Sequence, residues 1–225
     1  MGVWEYALII VFSGTDGSGK STQIDLLSNY IKSNQYRVKV VWGRGGYTPF
    51  FSFIKKILRI LLEKRIPKAG HGNSRTKILK RKSVSSTWMT VSILDLFLFY
   101  SLYVRALHLF GFVVICDRYI EDTRIDFERN FPDTFNSESL LWKLLIWSLP
   151  LPNLSFLLFV PVDVSLVRSK MKNEPFPDTP ETLSFRLKAY LDESIFSSDK
   201  YHKIDCQQSM ENIQAEIRGK FQELS

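Results

Sequence analysis

The sequence predicts a three-layer α/β/α fold in which a five-stranded parallel sheet lies between helices. Short apolar segments alternate along the chain with segments whose apolar residues recur at helical spacing. Parallel strands covered on both faces are apolar throughout, as these segments are. The predicted strands are residues 6–12, 37–42, 112–116, 154–160 and 201–205. In such sheets a ligand lies beyond the carboxyl ends of the strands, so the turns after them are the first places to search for a site.

The first of these turns carries the most specific motif in the chain. Residues 14–21 read GTDGSGKS and match G-x-x-x-x-G-K-[ST] at every fixed position. The segment follows a predicted strand and precedes a helix in which Ile24, Leu27 and Ile31 recur at helical spacing. Glycines let backbone N–H groups turn inward, and the helix N-terminus adds positive potential. The pattern therefore predicts a phosphate-binding loop, in preference to a simple glycine turn.

A loop of this kind predicts ATP and Mg²⁺ as ligands. We expect Lys20 to reach the β- and γ-phosphates and the Ser21 hydroxyl to hold Mg²⁺. Asp117 follows the third predicted strand and is expected to bind Mg²⁺ directly or through water, or alternatively to cap a helix. The predicted nucleotide-binding residues are Gly14, Thr15, Asp16, Gly17, Ser18, Gly19, Lys20, Ser21 and Thr22.

Three segments resemble the thymidylate kinases, a family of P-loop nucleoside monophosphate kinases. They are FSGTDGSGKSTQ (12–23), GFVVICDRY (111–119) and VSLVR (164–168), with weaker matches in AYL (189–191) and YHKIDC (201–206). The resemblance spans nearly the whole chain in order and spacing. It implies a P-loop kinase fold with a small lid, and ATP-dependent phosphorylation of a nucleoside monophosphate, dTMP and ATP giving dTDP and ADP.

The resemblance also implies roles for individual residues. It implies that Thr22 contacts the α-phosphate, that Arg118 holds the acceptor's phosphate and that Asp16 faces the acceptor. Lys20, Arg118 and Arg168 are thus the predicted catalytic residues.

The predicted lid occupies about 168–182. Some relatives carry an arginine in the phosphate loop, and those without it supply a cation from the lid. The candidates here are Arg168, Lys170, Lys172 and, more weakly, Arg186. Cations there would neutralise charge in a water-excluded site, whereas the alternative is a solvated helix face. Thr179-Pro180 predicts the start of a helix that runs to about residue 194.

The chain departs from the family after the third strand. Thymidylate kinases commonly have DRYxxSxxAYQ there, whereas this chain reads DRYIEDTRIDF, with Asp122 for the serine, Asp126 for the tyrosine and Phe127 for the glutamine. Residues in this stretch approach the acceptor base in the family, so the acceptor is left open. Asp122 and Asp126 would either accept sugar hydroxyls from the acceptor or lie in solvent on a helix.

A second departure follows strand two. The family has an arginine and then Glu-Pro-Gly-Gly, whereas this chain keeps Arg44 and continues with two glycines. An arginine in a glycine-rich turn at a strand end can bind an anionic group through two hydrogen bonds, so Arg44 is expected to contact the substrate. A surface arginine without a ligand is the alternative.

Positive charge is concentrated in one segment. Eleven of the 30 lysines and arginines lie between Lys55 and Lys82, with Glu63 as the only acid among them. A solvated loop and helix face is one interpretation. Peripheral contact of 50–82 with an anionic membrane is a second, and attraction of an anionic acceptor toward the site is a third. Nucleic acid is disfavoured because no familiar binding module is present.

The apolar segment 84–110 is long enough to cross a bilayer. Asp95 lies in its middle, and a carboxylate inside a membrane is costly. We therefore predict a buried helix of the kinase core and no membrane span.

The length of 225 residues predicts one domain, residues 1–225, with a basic acceptor-side insertion at about 50–83. Two cysteines are too few for a disulfide framework and no signal-peptide pattern is present, so we expect a cytoplasmic protein. The sequence is compatible with a homodimer. It also leaves open a kinase of the same fold for another nucleotide or a non-nucleotide phosphate, and a non-catalytic ATP-binding or membrane-peripheral regulatory protein.

Overall fold

The computed structural model describes residues 7–43, 45, 48, 82–172 and 178–224. The strands are β1 (Ile9–Gly14), β2 (Val38–Trp42), β3 (Val113–Asp117), β4 (Leu154–Phe159) and β5 (His202–Asp205). The helices are α1 (Lys20–Ser33), α2 (Lys82–Leu96), α3 (Arg105–Leu109), α4 (Ile120–Asn130), α5 (Leu140–Ser148), α6 (Val162–Met171), α7 (Pro180–Tyr190) and α8 (Met210–Gln222). A π-helical segment, Phe97–Val104, joins α2 to α3.

Two compact units make up the chain. The first contains the residues up to Trp42, Ala106–Ile125 and Leu151 onward, and the second contains Gly43–Arg105 and Asp126–Pro150. All five strands belong to the first unit. The expectation of a single domain over 1–225 stays a prediction. The basic insertion at 50–83 falls almost wholly outside the described residues, as do Arg44 and residues 173–177 of the predicted lid.

The sheet has the order β2-β3-β1-β4-β5, and every neighbouring pair is parallel. The predicted five-stranded parallel sheet between helices is confirmed. Strand β1 is central, with Phe12 opposite Asp117 of β3 and Gly14 opposite Leu158 of β4. Because parallel strands end at the same edge, the phosphate loop after β1 and the Asp117-Arg118 turn after β3 leave the sheet side by side.

The core of the first unit is built from the apolar faces that the sequence pattern predicts. Every residue of β1 is buried, and the rings of Phe12 and Phe156 lie 5.1 Å apart. Helix α1 buries Ile24, Leu27 and Ile31, the predicted face, against this sheet. Each fully buried apolar side chain of this size contributes about 1.5–3 kcal/mol, so the sheet that carries the loop is held by a large apolar surface.

One helix among the described residues, Ser85–Leu109, most of it in the second unit, is long and apolar enough to cross a membrane. Core helices of water-soluble proteins have the same length and composition. Met89, Ile93 and Leu96 are buried along one face, and Asp95 is 2% exposed and accepts a hydrogen bond from the Thr48 hydroxyl. A paired and buried carboxylate supports the prediction of a core helix.

Helix α7 begins where the sequence predicts and ends earlier. The Thr179 hydroxyl caps it by accepting a hydrogen bond from the Thr182 N–H at 3.3 Å. The helix stops at Tyr190, so the predicted extension to residue 194 is wrong. The physical reason is local, because the Asp192 carboxylate accepts a hydrogen bond from the Ser194 N–H at 2.9 Å and so stabilises a turn.

Gly14→Ala is expected to destabilise the fold strongly. Gly14 has φ +141°, and a Cβ there would lie 2.8 Å from the carbonyl carbon of Leu158, a backbone atom paired within the sheet. We expect the free energy of unfolding in urea to fall by about 3 kcal/mol or more. Gly219→Ala is the matched control, because a Cβ at this helical position meets nothing within 4 Å and should stabilise by about 0.5–1 kcal/mol. A Gly14→Ala variant as stable as the wild type would contradict this account.

Candidate functional site

The phosphate loop joins β1 to α1 in a conformation that two glycines make accessible. Gly17 and Gly19 have φ of 78° and 86°, in the left-handed region that other residues avoid. A Cβ at Gly19 would meet nothing within 4 Å, so glycine is needed there for its backbone angles and not for space. Gly19 is also the N-cap of α1, and no described side chain caps that end of the helix. The first-turn N–H groups therefore point toward the loop, as an anion site requires.

Lys20 lies folded inside this loop. Its residue is 8% exposed, and its ammonium group donates hydrogen bonds to the carbonyl oxygens of Gly14 at 2.9 Å and Thr15 at 2.7 Å. Burial, with a smaller contribution from nearby Arg118, lowers the pKa of Lys20 to about 8. The Ser18 hydroxyl is also buried and has no hydrogen-bond partner among the described residues. A desolvated ammonium and an unsatisfied hydroxyl are groups that an anion with several oxygens would satisfy.

Asp16, at the middle of the loop, joins two arginines from distant parts of the chain. One carboxylate oxygen lies 2.8 Å from Arg118 Nη2, and the other lies 2.8 Å from Arg186 Nη1. Burial favours the neutral acid, but Arg118, Lys20 and Arg186 outweigh it and lower the pKa of Asp16 to about 2. Asp16 is therefore ionised at neutral pH and fixes both guanidinium groups beside the loop.

Arg118 is held through its backbone as well as its side chain. Its φ is 77°, a left-handed conformation that is uncommon for a residue with a Cβ, and its N–H donates to the Phe12 carbonyl at 2.8 Å. The guanidinium group donates to Asp16, to the Tyr190 hydroxyl at 2.9 Å and to Asp122 at 3.3 Å. A backbone conformation this uncommon persists only where the surrounding contacts hold it, as they do here.

Asp122 is on α4 and follows Arg118 closely in the sequence. It belongs to the first unit. The residue is 3% exposed, and its carboxylate accepts hydrogen bonds from Ser13, Tyr119, Tyr190 and Arg118. Asp126, at 7% exposure, is buried as well. The interpretation of these two residues as solvated acids is therefore wrong. Contact of Asp122 with an acceptor's sugar stays a prediction.

Asp117 ends strand β3, beside the loop in the strand register. Burial raises the pKa of its carboxyl group, and Lys20 and Arg118 oppose this shift. Ser21 is exposed in the first turn of α1. The described residues contain no cluster of three or more His, Cys, Asp or Glu side chains that would hold a metal by itself. One carboxylate and one hydroxyl are nevertheless oxygen ligands of the kind that Mg²⁺ takes when phosphates and water complete its shell.

Helix α6 supports the phosphate loop from a second side. Arg168 donates to the carbonyl oxygens of Gly17 and Cys206, each at 3.0 Å, and the Ser165 hydroxyl donates to the Asp16 carbonyl at 2.6 Å. Of the predicted lid cations, Arg168 thus contacts the loop. Lys170 and Lys172 are exposed to solvent.

One residue of this site, Tyr190, carries no role in the sequence analysis, and another, Arg186, is underrated there. Arg186, the weaker lid candidate, binds both Asp16 and Asp178. Tyr190 binds Arg118 and Asp122. The available signal was the AYL match and the four-residue spacing from Arg186 to Tyr190, which places both on one face of a helix.

The five-stranded parallel sheet and the glycine loop between β1 and α1 define the class: the chain is a P-loop kinase. No protein-family model matches it. It is 31% identical over 169 residues to a thymidylate kinase of Wolbachia pipientis wMel, covering 74% of each chain. It is 32% identical over 169 residues to a thymidylate kinase of Wolbachia pipientis subsp. Culex pipiens, covering 74% of this chain and 71% of the relative. A thymidylate kinase of Caldicellulosiruptor saccharolyticus is 26% identical over 182 residues, covering 80% and 78%.

The chain belongs to the thymidylate kinase family, as the resemblance in its motifs indicates. It is a nucleoside monophosphate kinase, a phosphotransferase of nucleotide biosynthesis.

The ion pairs of Asp16 predict how stability changes in acid. The folded-state pKa of about 2 lies below the ordinary value of 3.8, so ionised Asp16 adds stability above pH 4 that is lost as the pH falls toward 2. After allowance for partial exposure, we expect this contribution to be about 1–2 kcal/mol.

The measurement is urea unfolding of the wild type and Asp16→Asn between pH 7 and pH 3. The stability difference between the two proteins should narrow as the pH falls. Asp163→Asn, an exposed position on α6, is the control and should follow the wild type throughout. An Asp16→Asn difference that stays constant from pH 7 to pH 3 would show that the ion pairs contribute nothing.

Proposed function

We propose that this chain transfers the γ-phosphoryl group of ATP to dTMP, giving dTDP and ADP. The observation that carries the proposal is the pairing of Asp16 with Arg118, which holds an acceptor-side cation beside the loop that contains Lys20. A guanidinium group fits a phosphate through parallel hydrogen bonds. The curated relatives, which are named thymidylate kinases, support dTMP as the acceptor.

ATP would occupy the phosphate loop, residues 14–22. The uncapped N-terminus of α1 and the unsatisfied Ser18 hydroxyl favour a group rich in anionic oxygens. Lys20, which donates to two loop carbonyls, would exchange them for the β- and γ-phosphates, because hydrogen bonds between charged groups are stronger. Thr22 would contact the α-phosphate.

Ser21 and Asp117 would hold Mg²⁺. When bound, the ion would supply positive charge that neutralises the phosphates during transfer. Asp117 remains beside Lys20 and Arg118, so the chain places its own charges of both signs around the transferring group.

In the proposed reaction an oxygen of the acceptor's phosphate forms a bond to the γ-phosphorus, and the bond from that phosphorus to the β–γ bridging oxygen breaks. No covalent intermediate with the protein is needed. Lys20 and Arg118 orient the two phosphate groups and stabilise the charge between them. Arg168, which contacts the loop at Gly17, supplies a further cation, and Arg186 orients Asp16 toward the acceptor.

A second candidate, a kinase of the same fold for another phosphorylated acceptor, is favoured by one specific observation. Phe127 replaces the family's glutamine, is 2% exposed, and lies in an aromatic cluster 5.5 Å from the Phe135 ring and 6.0 Å from the Trp142 ring. A buried phenylalanine cannot hydrogen-bond to a base, so this chain does not use that residue to recognise thymine in the manner of a glutamine.

Lys20→Ala and Arg118→Ala test the proposed site. We expect each to lower kcat/KM for dTMP phosphorylation by roughly 10²–10³, because each removes a cation from the transferring phosphates. ADP formation in the presence of ATP, Mg²⁺ and dTMP is the measurement. Lys32→Ala, in the exposed last turn of α1, is the control and should keep wild-type activity. Full transfer by both site variants would refute the assignment.

The acceptor is tested by comparing kcat/KM for dTMP, dUMP, UMP, CMP, AMP and GMP. On the leading proposal dTMP has the highest value. A preference for another nucleotide establishes the second candidate, and so does turnover only with a non-nucleotide phosphate. Since dTMP and dUMP differ by one methyl group, we expect the preference for dTMP over dUMP to be modest, about 10- to 200-fold.

A further inference from the structure

The two oxygens of the Asp122 carboxylate have different hydrogen-bond partners. One oxygen, Oδ2, accepts from the Ser13 hydroxyl at 2.6 Å and the Tyr119 N–H at 3.0 Å. These bonds fix it to strand β1 and to the start of α4. The other oxygen, Oδ1, accepts from the Tyr190 hydroxyl at 2.7 Å and from Arg118 at 3.3 Å. The carboxylate is thus anchored through Oδ2 and contacts Arg118 through Oδ1.

The direction of the hydrogen bonds at Tyr190 follows from the chemistry of its partners. A guanidinium group only donates, and an ionised carboxylate only accepts. The Tyr190 oxygen therefore accepts from Arg118 Nη1 at 2.9 Å and gives its single proton to Asp122. The side chain is 1% exposed and packs on Phe196 with ring centroids 5.2 Å apart, so the hydroxyl has little freedom to move.

These contacts hold one half of the Arg118 guanidinium group. Nη1 is bound by Asp122 and Tyr190, and Nη2 is bound by Asp16. Asp16 belongs to the loop that a nucleotide would fill, whereas Asp122 and Tyr190 are buried behind it. The contacts of Asp122 and Tyr190 with Arg118 therefore do not involve the loop.

The family's serine at position 122 has no charge and only one oxygen. It cannot accept four hydrogen bonds on two separate oxygens, as the carboxylate here does. The aspartate is therefore a substitution with a specific chemical consequence for Arg118. Since a buried carboxylate is costly unless it has partners, Arg118 and Tyr190 in turn stabilise Asp122 in its buried position.

We propose that Asp122 and Tyr190 are positioning residues that orient Arg118 toward the phosphate of the acceptor monophosphate. The inference rests on the proposed role of Arg118 in binding that phosphate. Because Arg118 acts on the acceptor, loss of either residue weakens acceptor binding and leaves ATP binding intact. Tyr190 is on α7 with Arg186, so this helix contributes to the orientation of both arginine partners of Asp16.

The test compares Tyr190→Phe, Asp122→Asn and Asp122→Ser with the wild type. Each substitution removes a hydrogen-bonding atom or a charge from the side chains that hold the Arg118 guanidinium group. We therefore expect KM for the acceptor to rise about tenfold or more. KM for ATP should stay within about twofold of the wild-type value. Tyr190→Phe removes one oxygen atom and leaves the packing, so it carries the test if the Asp122 variants fail to fold. Tyr30→Phe is the matched control, since its hydroxyl contacts Gln222, away from this network.

The double variant Tyr190→Phe/Asp122→Asn separates positioning from general destabilisation. If the two residues act as one unit on Arg118, the double variant raises acceptor KM less than the product of the single effects. A lower unfolding midpoint with unchanged acceptor KM in Tyr190→Phe would overturn the inference, as would wild-type acceptor KM in a folded Asp122→Ser variant.

The Arg118→Ala variant distinguishes a failure of the positioning inference from a failure of the proposed function. If it raises acceptor KM while the Tyr190 and Asp122 variants do not, the positioning inference alone fails. If Arg118→Ala leaves acceptor KM and turnover unchanged, the proposed function itself fails.

Discussion

The Asp16 carboxylate is the interaction on which the rest of the site depends. It is the anion that allows Lys20, Arg118 and Arg186 to lie together around one loop. Two like charges about 4 Å apart repel by about 4 kcal/mol at an effective dielectric constant near 20, and Asp16 offsets such repulsion together with Asp122, which pairs with Arg118, and Asp178, which pairs with Arg186. The lowered pKa of Lys20 shows the cost of its burial and, to a smaller extent, repulsion by Arg118. A substrate phosphate beside Lys20 would offset both.

The sheet determines which residues take part in this arrangement. Strands β1 and β3 are parallel neighbours, so the loop that carries Asp16 and the turn that carries Arg118 leave the same edge. Arg118 is fixed further by a hydrogen bond from its N–H to Phe12, in the last part of β1. The large apolar core behind these strands supplies the stability that a left-handed arginine and several buried charges require.

The fold could be predicted from the sequence, and so could the placement of the phosphate loop beside the Asp117-Arg118 turn, because both have local signals. Glycine spacing predicts the loop, and apolar runs predict the parallel strands that put Asp117 and Arg118 beside it. The contacts of Asp122 and Tyr190 have no such signal, since 68 residues separate the two and no periodicity links them. The sequence pattern does not tell whether the Asp122 side chain is buried. An acid near the start of a polar helix has the same sequence pattern whether it faces solvent or a strand.

The departures from the family after β3 do not all concern the acceptor base. Asp122 is committed to the group that would bind the acceptor's phosphate, and Phe127 is committed to an aromatic core. The first change strengthens the means of holding a phosphate, and the second removes a hydrogen-bonding group that would recognise a base. Neither change removes a cation from the phosphate loop or the Asp117-Arg118 turn, and phosphoryl transfer depends on phosphates and cations. On the proposed function, position 127 would then contribute no hydrogen bond to the choice among bases, and shape and apolar contact discriminate less than a buried hydrogen bond does.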